Sequence, residues 1–260
     1  MNIIDTHTHA YDENCIREII ENLDIESVIN IGMDTATSRD VIEIANKNKK
    51  FYAAVGIHPL RVENSRVNSI FELATSNKVV AIGEIGLDCG KECTESSFEK
   101  QKEVFTKQIL IANELKLPVI IHSNNTNKRV FEIFRTVRPK YGCVFHCFQP
   151  DLEDLERILS YKKEEQEERE EYYISFAGRI TYTTAERSIE VAKCVPNDRF
   201  LIETDSPFIS PEPYRDKPGK TEYIKYIIEK LAEVRETTPE EIIKTTNENA
   251  KRLFKRLEKK

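Results

Sequence analysis

The feature that most restricts the fold is an alternation of short apolar runs with segments of helical periodicity, repeated eight times along the chain. The runs are continuous rather than alternately apolar and polar, which is typical of parallel strands covered by helices on both faces. The predicted strands are Asn2–His9, Ser27–Met33, Phe51–His58, Val79–Ile85, Pro118–His122, Gly142–His146, Tyr172–Ala177 and Phe200–Thr204. Two helices, Glu222–Glu236 and Pro239–Leu257, are predicted to follow the eighth strand.

Eight strand–helix units in 260 residues predict an α/β fold of the closed (β/α)₈ TIM-barrel type, which typically needs about 250 residues. The alternative is an open doubly wound sheet, which is disfavoured because no Gly-x-Gly-x-x-Gly follows the first strand. Because no linker marks a second unit, we expect residues 1–260 to form a single domain. The mixed-charge block Tyr161–Glu171 cannot bury a face and is expected to be a solvated helix extension or loop without a functional role.

Composition limits the function classes that need to be considered. The net charge of −6 excludes a global basic field for holding nucleic acid, so a phosphodiester substrate would need a local patch or bound metal ions. There is no apolar run of about 18 residues and no signal-peptide pattern, which predicts no membrane association and a cytoplasmic location. The six cysteines are accordingly expected to be free thiols. As a separate expectation, the protein is predicted to be a monomer.

Histidines and acidic residues recur where the predicted strands end. His7 and His9 are two residues apart on the first strand, so their imidazoles are expected to point to the same side. In a (β/α)₈ barrel the carboxyl ends of all strands meet at one mouth, where the chemistry takes place. The other strand-end residues are His58 on the third strand, Glu84 on the fourth, His122 on the fifth, His146 on the sixth and Asp205 after the eighth.

These side chains are close to the set that two divalent ions sharing a bridging carboxylate require. We predict His7, His9, Glu84 and Asp205 around one ion, and Glu84, His122 and His146 around the other. Imidazole ligands suit zinc, manganese, iron or nickel, while the carboxylates also allow magnesium. Asp205 is in addition a candidate general base, the alternative being a helix N-cap. We expect Glu203, on the same strand, to face the helix layer and do not count it as a ligand.

The motifs around these residues resemble those of the TatD family of metal-dependent deoxyribonucleases. The matching segments are His7-Thr-His9, Gly56-Ile-His58-Pro59, Gly83-Glu84-Ile-Gly-Leu-Asp88, Ile121-His122-Ser123, Phe145-His146-Cys147-Phe148, Glu203-Thr-Asp205-Ser-Pro207 and Asn247-Glu-Asn249-Ala250-Lys-Arg-Leu-Phe254. The resemblance implies a TIM barrel of the amidohydrolase type and a two-metal nuclease, dependent on Mg²⁺ or Mn²⁺ and with Zn²⁺ compatible with the site, that trims DNA or RNA.

By motif, the family's metal positions correspond to the same six residues that strand ends single out, namely His7, His9, Glu84, His122, His146 and Asp205. His58 resembles the family's substrate-side histidine, and we predict that it donates a hydrogen bond to a phosphate oxygen. The alternative for His58 is a turn histidine held by Pro59.

The chain departs from the family pattern in the loops around the predicted site. The segment Asn124–Asn127 stands where the family usually has an arginine, for which Lys128 or Arg129 could substitute. Gln149-Pro150 replaces a Ser/Thr-Gly pair, and the proline removes an N–H group that could meet a phosphate. The segment Tyr214–Lys220 keeps its cations in an altered order. These changes affect substrate-contacting loops rather than the predicted metal site, so they leave the substrate open.

Three functional hypotheses follow. The first is a two-metal phosphodiesterase acting on DNA. The second is a barrel metallohydrolase acting on an amide, ester or lactone; many such enzymes bridge their metals with a carboxylated lysine on strand four, where this chain has Glu84. The third is a binding module with a structural metal, against which six donors argue because a structural site closes at four. Tyr182 and Tyr214 could stack on a base or serve ordinary packing.

Overall fold

Eight parallel strands form one sheet in sequence order, as the sequence predicts for a (β/α)₈ barrel. The computed structural model describes residues 2–63, 66–90, 94–148, 152–160 and 171–258. The strands are β1 (Ile3–Thr8), β2 (Ile25–Ile31), β3 (Phe51–Val55), β4 (Val79–Asp88), β5 (Val119–Asn124), β6 (Cys143–Phe145), β7 (Tyr172–Phe176) and β8 (Phe200–Ile202). Gln149-Pro150 and residues 161–170, about which the sequence makes predictions, lie outside the described residues.

Helices follow the strands and cover the outside of the barrel. They are α1 (Glu13–Glu21), α2 (Thr35–Lys47), α3 (Val67–Ala74), α4 (Glu95–Leu115), α5 (Asn127–Phe134), α6 (Leu152–Ser160), α7 (Glu186–Cys194), α8 (Ile224–Val234) and α9 (Pro239–Leu253). Side chains of Asp12, Asp34, Thr94 and Thr238 accept hydrogen bonds from first-turn N–H groups of α1, α2, α4 and α9. No helix in the described ranges is both long and apolar enough to cross a bilayer. The cysteines of the described residues are free thiols.

The core has two layers, separated by the sheet. The outer layer lies between strands and helices, where residues such as Val119, Phe145 and Phe200 pack against the helix faces. The inner layer fills the barrel with side chains from alternate strand positions, such as Val144 and Tyr173. Ala250, Leu253, Phe254 and Leu257, at and after the end of α9, belong to the inner layer. The C-terminal helix therefore closes the end of the barrel opposite the mouth.

The barrel closes between β1 and the segment that follows β8. A parallel bridge joins Thr8 to Ser206, and the backbone N–H of Asp205 donates to the carbonyl of His7 at 2.9 Å. Next to these bonds, the buried carboxylate of Asp5 accepts two hydrogen bonds from Thr204, one from its hydroxyl at 2.6 Å and one from its backbone N–H at 3.0 Å. These bonds bring the first and the last strand-end motifs of the chain into contact.

The predicted bounds differ from the observed ones by one to three residues at most element ends, and the largest difference is at the final helix. Strand β4 continues to Asp88, three residues beyond the predicted end. The predicted final helix ends at Leu253, and a 3₁₀ turn over Lys255–Glu258 replaces its last turn. The extension of β4 places another carboxylate, that of Asp88, at the mouth.

Candidate metal centre

All seven side chains that the sequence singles out meet at the mouth of the barrel. His9, His58, Glu84, His122, His146 and Asp205 line a cavity of about 360 Å³. His7 is fully buried beside it, with its Nε2 atom 3.2 Å from Nε2 of His9. The strand ends bring these residues together because parallel strands present all their carboxyl ends to one side of the barrel.

One group of donor atoms forms where β1 meets the end of β8. Oε2 of Glu84 lies 3.5 Å from Nε2 of His7 and 3.8 Å from Nε2 of His9. Oδ1 of Asp205 lies 3.7 Å and 3.5 Å from the same two nitrogens. Two imidazole nitrogens and two carboxylate oxygens are thus directed at one small buried space, a donor set that suits a divalent cation.

A second group surrounds the other oxygen of the same carboxylate. Oε1 of Glu84 lies 2.6 Å from Nδ1 of His122 and 2.7 Å from Nε2 of His146, and these two nitrogens are 3.3 Å apart. Nε2 of His58 approaches the same oxygen at 3.5 Å, so His58, Glu84 and His122 also form a compact set of donor atoms. The two oxygens of Glu84 therefore face two different sets of imidazoles.

The electrostatics of the centre keep Glu84 ionised. Burial raises the pKa of Glu84, but the neighbouring imidazoles of His146, His58 and His122 outweigh burial and hold it well below its usual value. Burial and the nearby charge of His146 lower the pKa of His7. The charged Glu84 therefore lies beside an imidazole, that of His7, that prefers to be neutral, and both groups can bind a cation. Burial lowers the pKa of His122 and of His146, but the neighbouring carboxylates outweigh burial and raise both, so a cation has to replace a proton at these two rings.

Two further carboxylates hold His122 and His146 from behind. Oδ2 of Asp88, at the end of β4, lies 2.8 Å from Nε2 of His122. Oε1 of Glu203 lies 3.4 Å from Nδ1 of His146, and Glu203 also accepts hydrogen bonds from the Cys147 N–H at 2.5 Å and from the Ser175 hydroxyl at 2.6 Å. Such carboxylate–imidazole pairs fix the orientation of the ring and leave its other nitrogen directed at the centre.

The prediction that Glu203 faces the helix layer is wrong. Leu201 lies in the inner core layer and Ile202 in the outer layer, so strand alternation directs Glu203 inward. Glu203 and Asp205 are two residues apart, a spacing that could have shown this in the sequence. Asp88 was also missed as a site residue, although it is four residues after Glu84 on one strand and therefore on the same face.

His58 makes contacts that combine both interpretations of its role. Its Nδ1 atom accepts a hydrogen bond from the Leu60 N–H at 3.1 Å, as expected of a histidine held in the turn at Pro59. This bond leaves the proton on Nε2, the nitrogen that faces Glu84 and the cavity. The turn thus presents an N–H donor to the centre.

Asp205 is held in the site by the backbone rather than capping a helix. In the fully described stretch 203–220 no helix begins, so the N-cap alternative is wrong. Asp205 adopts a left-handed backbone conformation with φ of 49°, an uncommon state for a residue with a side chain. Its carbonyl accepts from the Phe208 N–H at 2.9 Å, and the resulting turn directs the carboxylate at His7 and His9.

Comparison with known proteins shows the family to which the chain belongs. The model of the family described as TatD related DNase matches residues 4–255. The chain belongs to the TatD family. The metal-dependent hydrolase YabD of Bacillus subtilis (strain 168) is 37% identical over 264 residues, which are 97% of this chain and 99% of YabD. YcfH of Escherichia coli (strain K12), also named a metal-dependent hydrolase, is 30% identical over 98% of this chain and 96% of its own length.

The TatD relationship extends to solved structures. The crystal structure of YjjV, a TatD homologue from Escherichia coli K12, superposes with a TM-score of 0.85 and 26% identity over 97% of this chain and 98% of YjjV. The expected TIM barrel and family are thereby confirmed, and the chain is a metal-dependent hydrolase of the TatD family.

One of the segments in which this chain departs from the TatD pattern reaches the cavity, at Asn124. Asn124 ends β5, and its side-chain amide lies 3.3 Å from both carboxylate oxygens of Asp88. Tyr214 stacks on Tyr223 with ring centroids 4.4 Å apart, which is a packing role. Tyr182 carries the guanidinium of Arg215 on its ring at 4.2 Å.

Proposed function

We propose that this TatD-family hydrolase cleaves phosphodiester bonds of DNA with the help of two divalent cations bridged by Glu84. The observation that carries the proposal is the position of Glu84, whose Oε2 faces His7 and His9 while its Oε1 faces His122 and His146. A single cation would leave one of these imidazole sets unused. The description of the family as TatD related DNase supports DNA as the substrate class.

The residues fit such a pair of ions. His7, His9, Asp205 and Oε2 of Glu84 would hold one cation, and Oε1 of Glu84, His122 and His146 the other. Mg²⁺ or Mn²⁺ is expected in activity, while the share of imidazole also accommodates Zn²⁺. When bound, such a pair polarises a phosphoryl oxygen and generates a nucleophile from water near neutral pH.

The protein's own groups supply proton transfer and orientation. Burial raises the pKa of Asp205, but its bond to His9 and the nearby imidazoles of His146 and His7 lower it below the usual value, so the carboxylate is available as a base. Asp205 accepts a proton from the water whose oxygen bonds to phosphorus, the bond from phosphorus to the leaving oxygen breaks, and that oxygen takes up a proton from solvent. The Nε2–H of His58 donates to a non-bridging phosphate oxygen and holds the phosphate against the centre.

The test is cleavage of an end-labelled single-stranded DNA oligonucleotide in Mg²⁺, Mn²⁺ or EDTA, with an RNA of the same sequence alongside. We expect cleavage in metal, none in EDTA, and a loss of about 10³-fold or more in the Glu84→Gln variant, which keeps the shape of the side chain but removes the shared charge. Glu114→Gln, an exposed glutamate on α4, is the matched control.

Metal content separates the parts of the proposal. Titration with Mn²⁺ should give two ions per wild-type chain and fewer in Glu84→Gln. Undiminished cleavage by Glu84→Gln would refute its role as bridge. No cleavage of either nucleic acid by folded protein that carries two ions would exclude the nuclease and favour an amide or ester substrate.

A further inference from the structure

A second cavity, of about 830 Å³, adjoins the candidate metal centre. It lies between the end of β5, the first turns of α5 and α7, and the turn that follows β7. Ser123 and Arg179 line both cavities, so the two spaces lie side by side. A substrate bound at the centre can therefore extend into this second space, which we call the basic groove.

The basic groove is positively charged although the chain as a whole is acidic. Its lining carries two carboxylates, on Asp154 and Glu186, and more than twice as many cations. The cations are Lys128, Arg129, Arg179, Arg187 and Arg215. Among the described residues, no carboxylate forms an ion pair with Lys128, Arg179 or Arg187, and all three side chains are exposed. These three charges are thus available to a ligand.

The backbone adds to this positive potential. Helices α5 and α7 begin at the groove, and neither Thr126 nor Ala185 provides a side-chain cap for the first-turn N–H groups. Uncapped helix N-termini attract phosphate. Arg215 is held in place by the ring of Tyr182, whose hydroxyl donates to the Ser210 carbonyl at 2.8 Å. The groove therefore offers positive charge in fixed positions as well as exposed cations.

The wall of the metal centre on the other side of the barrel is apolar. Met33, Leu60 and Phe208 line it, and residues Leu60 and Phe208 are 65% and 62% exposed. These residues follow β2, β3 and β8, whereas the basic groove lies at β5 to β7. Such a wall suits a nucleobase, because every base has an apolar face that stacks on aromatic rings.

We infer that the basic groove binds the polynucleotide backbone on one side of the scissile bond, with its cations contacting successive phosphates, while the terminal nucleoside packs on the apolar wall. The inference rests on the proposed nuclease function and deepens it, since it specifies a strand rather than a mononucleotide ester as substrate. A substrate with one phosphodiester reaches the metal centre but leaves the groove empty.

The test compares two substrates with the metal-loaded, full-length protein. Thymidine 5′-(p-nitrophenyl) phosphate has one phosphodiester, and a single-stranded 12-mer of thymidine extends beyond the centre. The groove variant is Lys128→Ala/Arg187→Ala. The control, Arg135→Ala/Lys193→Ala, removes one arginine and one lysine from the other ends of α5 and α7, outside the groove. Both variants change the net charge equally.

We expect the groove variant to raise KM for the 12-mer by about tenfold and to leave the mononucleotide ester unaffected. Binding provides a readout independent of cleavage, through the fluorescence anisotropy of a labelled 12-mer with slowly cleaved phosphorothioate linkages. Loss of two phosphate contacts should reduce the slope of log K against log [NaCl] by about 1.4. A methylphosphonate 12-mer, which has no backbone charge, should bind weakly to all proteins.

The outcomes separate this inference from the proposed function. If the wild type cleaves the 12-mer and the groove variant matches the control in KM and salt slope, the groove inference is wrong and the nuclease stands. If the wild type binds the 12-mer through the groove but cleaves neither substrate, the nuclease fails and the groove remains a polynucleotide site. Equal losses on both substrates would instead show damage to the centre and contradict a groove role.

Discussion

Replacement of Glu203 by glutamine should weaken metal binding without unfolding the protein. Glu203 is 1% exposed, and its carboxylate accepts hydrogen bonds from the Cys147 N–H and the Ser175 hydroxyl while it faces Nδ1 of His146 at 3.4 Å. A glutamine can accept from the N–H and donate to the hydroxyl, since the hydroxyl can rotate. The variant therefore preserves packing and removes only the negative charge behind His146.

The size of the effect follows from this geometry. Carboxylates that orient a metal-binding imidazole typically change metal affinity or activity by about 10- to 100-fold when they are replaced. The loss of Mn²⁺ affinity in Glu203→Gln should fall in that range. Glu203→Ala should also lower the free energy of unfolding, because a buried donor left without an acceptor costs about 1–3 kcal/mol.

The assay is calorimetric titration with Mn²⁺, together with urea unfolding of the metal-free protein. Asp198→Asn is the control, since this exposed carboxylate precedes the same strand and pairs with Arg199 at 2.8 Å. A Glu203→Gln variant that binds Mn²⁺ as tightly as wild type would refute the orienting role. A large loss of stability in Glu203→Gln would show that its hydrogen bonds cannot be rearranged as we describe.

Three other substitutions probe separate parts of the molecule. Asp88→Asn removes the charge 2.8 Å from His122 and should reduce Mn²⁺ affinity by about 10- to 100-fold in the same titration. Phe208→Ala should raise KM for the 12-mer and for the mononucleotide ester alike, because it removes base stacking worth about 1–3 kcal/mol. The groove variant, in contrast, should raise KM for the 12-mer alone. Phe254→Ala opens a cavity in the fully buried end of the barrel and should lower the free energy of unfolding by about 3–5 kcal/mol in urea while the folded fraction still binds two Mn²⁺ ions.

The fold could be predicted from the sequence because each strand and helix carries its own local signal. Buried strands of a parallel barrel must be apolar along their length, and the helices between them must be amphipathic, so the alternation is readable without an alignment. The end of β4 could not be placed this way. The apolar run is interrupted at Glu84, Gly86 and Asp88, where the side chains belong to the centre rather than to the core. The strand nevertheless continues to pair with β5, from Gly86–His122 to Asp88–Asn124.

Convergence of the seven predicted side chains also followed from the sequence, since parallel strand ends share one side of the barrel. The contacts that Asp88 and Glu203 make with His122 and His146 could not be predicted in this way. Glu203 and His146 are 57 positions apart, after β8 and after β6, and the only sign of their contact in the sequence is that the alternation along β8 continues to Glu203. The basic groove was equally hidden, because its cations come from four separate segments, the first turns of α5 and α7, the turn after β7 and the segment after β8, and each resembles an ordinary surface charge.

The same alternation connects the core to the candidate centre. On four neighbouring strands, the residue that packs in the inner layer is followed two positions later by a polar residue at the mouth. The pairs are Ile120 and His122, Val144 and His146, Tyr173 and Ser175, and Leu201 and Glu203. Each polar side chain therefore stands on a rigid, close-packed layer, and the hydrogen bonds that the Ser175 hydroxyl and the Cys147 N–H donate to Glu203 connect adjacent strands above it. Because strand spacing sets the distances between these side chains, the segments beyond the strand ends can change, as at residues 125–127, without altering the geometry of the centre.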